Sequence, residues 1–148
     1  MARGDFALFK NFVVDLANEV HDLDTDTFKM GIITTAVTPV SSESSAKWAQ
    51  YSGSQVSTDD SQYADPLTLA GVTFTTISSV VTMFDSSAIE LTQNSSAFTN
   101  AGWGILYNED GSSDQAVGFL DLGGPVDLTA GPITITPNSS GWFRITIS

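Results

Sequence analysis

The most reactive side chains in the sequence are a single histidine, His21, and carboxylates scattered along the chain. A Ser-His-Asp arrangement has only His21 as its base, and no Gly-x-Ser-x-Gly turn accompanies it. Paired carboxylates can hydrolyse glycosides, but one of them must be buried enough to keep its proton. The sequence therefore predicts no enzyme and no catalytic residue. The carboxylates considered for this role are Glu43, Glu90, Glu109, Asp114 and Asp121.

Four of these residues have a structural interpretation. Glu109 and Asp114 lie in a predicted turn, where burial is not expected. Asp121 stands between Leu120 and Leu122, and alternation in a strand predicts that it projects away from them into solvent. His21 is expected at a helix end, where it interacts with the helix dipole.

Three alternate aspartates, Asp22, Asp24 and Asp26, resemble the start of a calcium-binding loop. The sixth position of such a loop is Thr27 where glycine is needed, and the twelfth is Ile33 where glutamate is needed. We therefore interpret residues 22–26 as a solvated turn and predict neither a metal site nor a cofactor. The chain has no cysteine, which excludes disulfides and thiolate metal sites.

Composition limits the partners of the chain. Five basic residues against 17 acidic ones give a net charge of −12, which repels phosphate backbones and anionic membranes. We expect no nucleic acid and no membrane partner, while a basic protein would suit the charge. Asp5, Lys10 and Asp15 interrupt the apolar residues near the N terminus, so we expect no secretion signal. With 148 residues and 41% hydrophobic content, residues 1–148 are predicted to form a single domain.

An amphipathic helix is predicted at about residues 5–20. Apolar residues recur there every three or four positions, and Asp5 is the expected N-cap. The helix either braces the sheet from inside or docks on another chain. The apolar positions are Phe6, Phe9, Val13, Leu16 and Val20.

The rest of the chain alternates short β-forming runs with Gly, Pro, Asn, Asp and Ser. Strands are predicted at about residues 27–35, 67–76, 80–84 and 89–92, followed by a C-terminal hairpin and further strands over residues 102–148. The hairpin turns at residues 108–114, and the last two strands are expected to complete its sheet. This pattern predicts a mainly β fold, an antiparallel β-sandwich or jelly-roll-like domain with one N-terminal helix.

A long loop is predicted at about residues 41–61, with a short helical turn at residues 43–51. Trp48 and Tyr51 in this loop are the candidate protein-contact residues, since buried Trp and Tyr anchor interfaces. They could equally pin the loop to its own domain. The predicted core is Phe6, Phe9, Val13, Leu16, Phe28, Met30, Ile32, Phe74, Ile105, Tyr107, Phe119, Ile133, Ile135, Phe143 and Ile145.

The C-terminal third also carries a resemblance to a known family. It reads Leu-Tyr-Asn at residues 106–108, then a polar turn, then Val-Gly-Phe-Leu-Asp-Leu-Gly at 117–123, Val-Asp-Leu-Thr-Ala-Gly at 126–131 and Ile-Thr-Ile at 133–135. Residues 6–12, 21–23, 26–30 and 63–74 extend the likeness. The order of strands and turns resembles that of small virion proteins of tailed bacteriophages.

The resemblance implies a head-decoration (cement) protein or a minor structural protein located in the virion. It implies attachment to the major capsid protein or other virion proteins, and a homotrimer. The alternative is a tail, neck or fibre component, or a receptor- or carbohydrate-binding module. In that alternative the aromatic residues available to stack on sugars are Trp48, Tyr51, Trp103 and Trp142.

Overall fold

The computed structural model describes residues 1–58 and 60–148. The chain is mainly β, as predicted, and its ten strands in the described residues form antiparallel sheets. The strands are β1 (Phe6–Leu8), β2 (Phe28–Thr34), β3 (Leu67–Thr68), β4 (Thr73–Ser78), β5 (Val81–Asp85), β6 (Ile89–Leu91), β7 (Ala101–Asn108), β8 (Ala116–Val126), β9 (Ile133–Ile135) and β10 (Phe143–Thr146).

Three sheets are present among the described residues. The largest has five strands in the order β1-β8-β7-β2-β3, the second has the order β10-β5-β4, and the third pairs β6 with β9. The predicted hairpin is confirmed, because β7 and β8 pair across the polar turn that follows Asn108. The expectation that the last two strands complete this sheet is wrong. β9 pairs with β6 and β10 with β5, so both leave the hairpin for partners far away in sequence.

The N-terminal helix is much shorter than the sequence predicted. Helix α1 covers only Phe12–Ala17, and its N-cap is Asn11 instead of Asp5. Residues Phe6–Leu8 form strand β1, which pairs antiparallel with β8. Pairing with β8 satisfies the backbone polar groups of this segment. The local spacing of apolar residues carries no information about such a long-range pairing.

The five-stranded sheet is covered on both faces. Neighbouring residues of its central strands point to opposite sides, so Ile105 and Leu106 are both fully buried but belong to different clusters. The larger cluster lies against β5 and β10, where the ring centroids of Phe28 and Phe84 are 5.1 Å apart. The smaller cluster lies under helix α2 (Trp48–Tyr51), which is followed by a 3-10 turn at Ser52–Ser54.

Most of the predicted core is buried. Val13 is the exception, because it is 66% exposed while Phe12, one position earlier, is the buried residue of α1. Phe6, Leu16, Phe74 and Ile145 are partly buried against the larger cluster. The predicted long loop contains α2, which agrees with the expected helical turn, and one of its residues, Asp59, lies outside the described residues.

Candidate functional site

Trp48 and Tyr51 lie inside the domain. Trp48 is 8% exposed and stacks on Tyr107 with ring centroids 5.3 Å apart and an interplanar angle of 4°. Tyr51 is also buried and stacks on Phe9 at 5.8 Å. Of the two interpretations of this loop, the geometry supports the internal one. These side chains fasten the loop to the main sheet and leave little surface for a partner.

The strand beneath Trp48 is shaped to receive the indole. A Cβ atom built on Gly31 of β2 would lie 2.3 Å from Trp48 Cζ3, well inside van der Waals contact. The absence of a side chain at Gly31 therefore makes the space that the ring occupies. The stacking partner, Tyr107, stands on β7, and burial raises the pKa of its hydroxyl.

His21 is buried. It lies four residues beyond the end of α1 at Ala17, and not at the helix terminus as predicted. Its ring stacks on Phe12 at 5.7 Å, and Asn108 Nδ2 lies 3.3 Å from its Nδ1. In the described residues Nε2 has no hydrogen-bond partner. Burial lowers the pKa of His21, against the opposing effect of Asp15 and Asp26, so the imidazole is held neutral.

Asn108 joins two turns that are distant in sequence. Its Nδ2 donates to Asp26 Oδ2 at 2.6 Å and to the Val20 carbonyl at 3.1 Å. The Thr27 amide donates to Asp110 Oδ2 at 2.5 Å, and the Glu109 amide donates back to the Thr27 carbonyl. These contacts follow from the pairing of β2 with β7, which places Phe28 opposite Asn108.

The joined turns gather acidic residues into one surface, called here the acidic end. Lys29 is the basic residue within it, and its Nζ lies 2.5 Å from Glu109 Oε1 and 3.4 Å from Asp65 Oδ2. The hydrogen bond to Glu109 is the main reason that the pKa of Lys29 is raised. The acidic end consists of Glu19, Asp22, Asp24, Asp26, Asp65, Glu109 and Asp110.

Residues 22–26 form a turn held by its own side chains. Asp22 Oδ1 accepts from the amides of Asp24 and Thr25, and Asp26 Oδ2 accepts from the Asp22 amide. Hydrogen bonds from the Thr25 side chain and the Asp24 amide lower the pKa of Asp22, so it carries its charge. In the part of the chain that the structure describes, no group of three or more His, Cys, Asp or Glu residues is arranged to hold a metal ion.

A cavity of about 540 Å³ opens beside the acidic end. Its lining combines the apolar residues Leu16, Leu23 and Phe74 with the acidic residues Glu19, Asp22 and Asp24. His21 also contributes to the lining. The cavity offers a partner both charge and apolar surface at the same place.

Asp121 is buried, so the prediction that it faces solvent is wrong. Asp121 lies on the face of the sheet opposite Leu120 and Leu122. That face is also covered, because Trp103, which pairs with Asp121 in register, packs against the smaller cluster. The Asp121 carboxylate accepts the Gly123 amide at 2.7 Å, and its backbone bonds to Gly4 and Asp5. These bonds give Asp121 a structural role in holding the N-terminal segment against β8.

The acidic end was not predicted as a unit. Each turn is acidic in the sequence, but only the pairing of β2 with β7 shows that the two turns meet.

No helix in the described part of the chain has the length and apolar character needed to cross a bilayer. Comparison of the chain with protein-family models, curated proteins and solved structures finds no match.

Proposed function

We propose that the chain is a non-enzymatic structural protein of a tailed-bacteriophage virion, a head-decoration (cement) protein that binds the assembled lattice of the major capsid protein. The observation that carries the proposal is the acidic end, a negative surface built from three separate segments and held by side-chain hydrogen bonds of Asp26, Asn108 and Asp110 and by the ion pair of Lys29 with Glu109. Such a surface is complementary to a basic protein and repels nucleic acid and anionic lipid. The protein would act as a homo-oligomer and carry no cofactor.

The resemblance supports the proposal at the level of the fold. Two of the runs that carry it, residues 106–108 and 117–123, lie in the β7–β8 hairpin of the five-stranded sheet. The proposed architecture is a β-sandwich of the jelly-roll-like kind, in which β5 and β10 pack over one face of that sheet. The contact of Phe84 with both Phe28 and Phe143, at ring-centroid distances of 5.1 and 5.0 Å, supports this arrangement.

The mechanism is thermodynamic. A protein that binds the assembled lattice and not the loose subunit shifts the equilibrium toward the shell. At a free concentration one hundred times the Kd, each occupied site contributes about 2.7 kcal/mol. The acidic end would supply attraction to basic lattice residues, and the adjoining cavity would accept an apolar side chain at the same contact.

The alternative of a carbohydrate-binding module has less support. Its candidate stacking residues Trp48, Tyr51 and Trp142 are buried, and the face of Trp48 is already occupied by Tyr107. Sugar-binding aromatic rings need an open face. Trp103 is only partly buried, and its ring forms a T-shaped pair with Phe119 at a centroid distance of 6.0 Å. The acidic end would also suit a location in the tail, neck or fibre. Binding to capsids compared with binding to tails distinguishes these locations.

The test is binding of the purified protein to decoration-free capsids at low and high salt, measured as mass bound per particle. We expect binding that weakens with salt, because screening shortens the range of charge attraction. Asp24→Lys reverses one exposed charge of the acidic end and should weaken binding at least about tenfold at low salt. Glu90→Lys on β6 makes the same charge change outside the acidic end and is the matched control.

Two results would contradict the proposal. One is absence of binding to capsids, combined with binding to tails or to cell-surface glycans. The other is an equal effect of Asp24→Lys and Glu90→Lys, which would show that net charge matters and the acidic end does not.

A further inference from the structure

The sheet edges of this fold differ in how they are protected. Natural proteins blunt an exposed edge with short strands, charged residues or proline. In the described residues, β1, β3, β6 and β9 have two or three residues each, and β9 is flanked by Pro132 and Pro137. Strand β10 carries Arg144, and β6 carries Glu90 at its centre.

Strand β4 has none of these protections. It is the terminal strand of its sheet, has six residues, and pairs with β5 on one side only within the described chain. Its sequence, Thr-Phe-Thr-Thr-Ile-Ser, is rich in β-branched residues, and all of it except Phe74 is exposed. One row of its backbone donors and acceptors is therefore free to pair with another strand.

The segment of the sequence that contains β4 carries no charged residue. Residues 66–84 contain no Asp, Glu, Lys, Arg or His, in a chain with 17 acidic and 5 basic residues. Two identical chains with a net charge of −12 repel each other over most of their surfaces. Two copies can therefore meet along most of the β4 edge with few like charges opposed, since the nearest carboxylate in the sheet is Asp85, opposite Thr73 at the start of β4.

We propose that β4 pairs antiparallel with β4 of a second copy of this chain, which joins the two three-stranded sheets into one sheet of six strands. The contact satisfies the free backbone groups of both edges at once. It is isologous and closes on itself, so it gives a dimer and no fibre. This inference deepens the proposed function by naming the contact between copies, and it is tested without capsids.

Exposed apolar side chains lie at one end of the same edge. Ile77, in β4, and Val80, in the turn that leads into β5, are 45% and 46% exposed. Association at this edge removes apolar surface from water in addition to forming hydrogen bonds.

The antiparallel direction also separates the acidic ends. Phe74, near the start of β4, lines the cavity beside Asp22 and Asp24, whereas Ile77 lies near the other end of the strand. Antiparallel pairing places the acidic end of one copy next to the uncharged end of its partner. A parallel contact would bring the two acidic ends together and cost Coulomb energy.

The experiment is sedimentation velocity over a range of protein concentrations on the full chain and two variants. Thr75 is exposed at the middle of β4, so Thr75→Lys places like charges near each other across the two-fold axis. Thr134→Lys makes the same change at an exposed position of β9 and is the control. We expect a dimer for the unmodified chain and for Thr134→Lys, and a dimer Kd raised at least about tenfold for Thr75→Lys. Circular dichroism spectra should be the same for all three.

Amide hydrogen exchange supplies a second measurement that locates the contact. Protection of residues 73–78 should increase with protein concentration in the unmodified chain and not in Thr75→Lys. A monomer at every concentration would overturn the inference, as would the trimer that the resemblance implies. Equal dimerisation of Thr75→Lys and Thr134→Lys would also overturn it. Loss of capsid binding with the dimer intact would contradict only the proposed function.

Discussion

His21 shows how one buried residue can make the stability of the whole chain depend on pH. It is the single histidine, it is 3% exposed, and it lies between Phe12 and the β7–β8 turn. Burial holds its folded-state pKa below the ordinary value of 6.5, although Asp15 and Asp26 oppose this effect. Protonation therefore favours the unfolded chain, in which the imidazole is solvated.

We predict that the free energy of unfolding falls as the pH is lowered from about 7 towards the folded pKa of His21. Between the two pKa values the unfolded state binds more protons, so stability decreases with acidification there. Urea unfolding at several pH values measures the slope. In His21→Phe this slope should flatten above about pH 5, while the acidic side chains still titrate below it. An unchanged slope in His21→Phe would assign the pH dependence to the carboxylates.

Residue positions were predictable where a residue type has one common environment. Phe28, Met30 and Ile32 alternate in the sequence and are fully buried on one face of β2. The sequence does not decide between two roles for Trp48, because an aromatic residue in a loop suits an interface and a core equally well. The missing information was Gly31, whose lack of a side chain creates the space for the indole from a distant strand.

At the scale of elements, the end of α1 contains an unusual backbone conformation. Glu19 follows the C-cap Asn18 with a φ of 59°, in the left-handed region where glycine is usual. The Val20 amide donates to the Asp15 carbonyl at 2.9 Å and the Glu19 amide to the Leu16 carbonyl at 3.2 Å, as in a Schellman motif. The conformation is therefore fixed by hydrogen bonds that a six-residue helix needs.

We predict that Glu19→Gly stabilises the chain by about 0.5–1 kcal/mol, because glycine enters the left-handed region without steric cost. Glu19→Ala is the matched control. It removes the same charge but keeps a Cβ, so it should bring no such gain. Thermal or urea unfolding of the three chains gives the comparison. A similar gain for alanine would show that the charge of Glu19, crowded by Asp22 and Asp24, is what destabilises the turn.

Elements were predictable where local and tertiary preferences agree. The β7–β8 hairpin has apolar strands and a turn rich in Asn, Asp, Gly and Ser, so its sequence specifies its pairing. Phe6–Leu8 is the opposite case. Its apolar spacing suits a helix, but pairing with Leu120, Phe119 and Gly118 makes it a strand. The partners of β9 and β10 were also not predictable, since pairing over long sequence distances leaves no local signal.

At the scale of the whole molecule, the hairpin connects two apolar clusters that lie on opposite faces of one sheet. The larger cluster joins the main sheet to α1, β5 and β10, and the smaller one joins it to α2. The acidic end has the same origin, because the pairing of β2 with β7 brings its two turns together. Both features arise from sheet topology, so composition and local pattern predicted the charge but not its location.

The two clusters should unfold together, because β7 and β8 contribute side chains to both. Ile105 and Leu106 are adjacent on β7, equal in size and fully buried, but they face the smaller and the larger cluster respectively. We predict that Ile105→Ala and Leu106→Ala each cost about 2–5 kcal/mol and that each variant keeps a single transition. Circular dichroism and tryptophan fluorescence should give the same midpoint within each variant.

The control is Ile77→Ala, which truncates a half-exposed side chain and should cost far less than either buried variant when all are measured at a low concentration that keeps the chains monomeric. If Ile105→Ala separated the two probes while Leu106→Ala did not, the layer under α2 would be a unit that melts independently of the rest. The two apolar clusters would then unfold as separate cooperative units. Coincident midpoints in both variants would show that the shared hairpin makes the chain one cooperative unit, since neither face can lose its packing without disturbing strands that the other face needs.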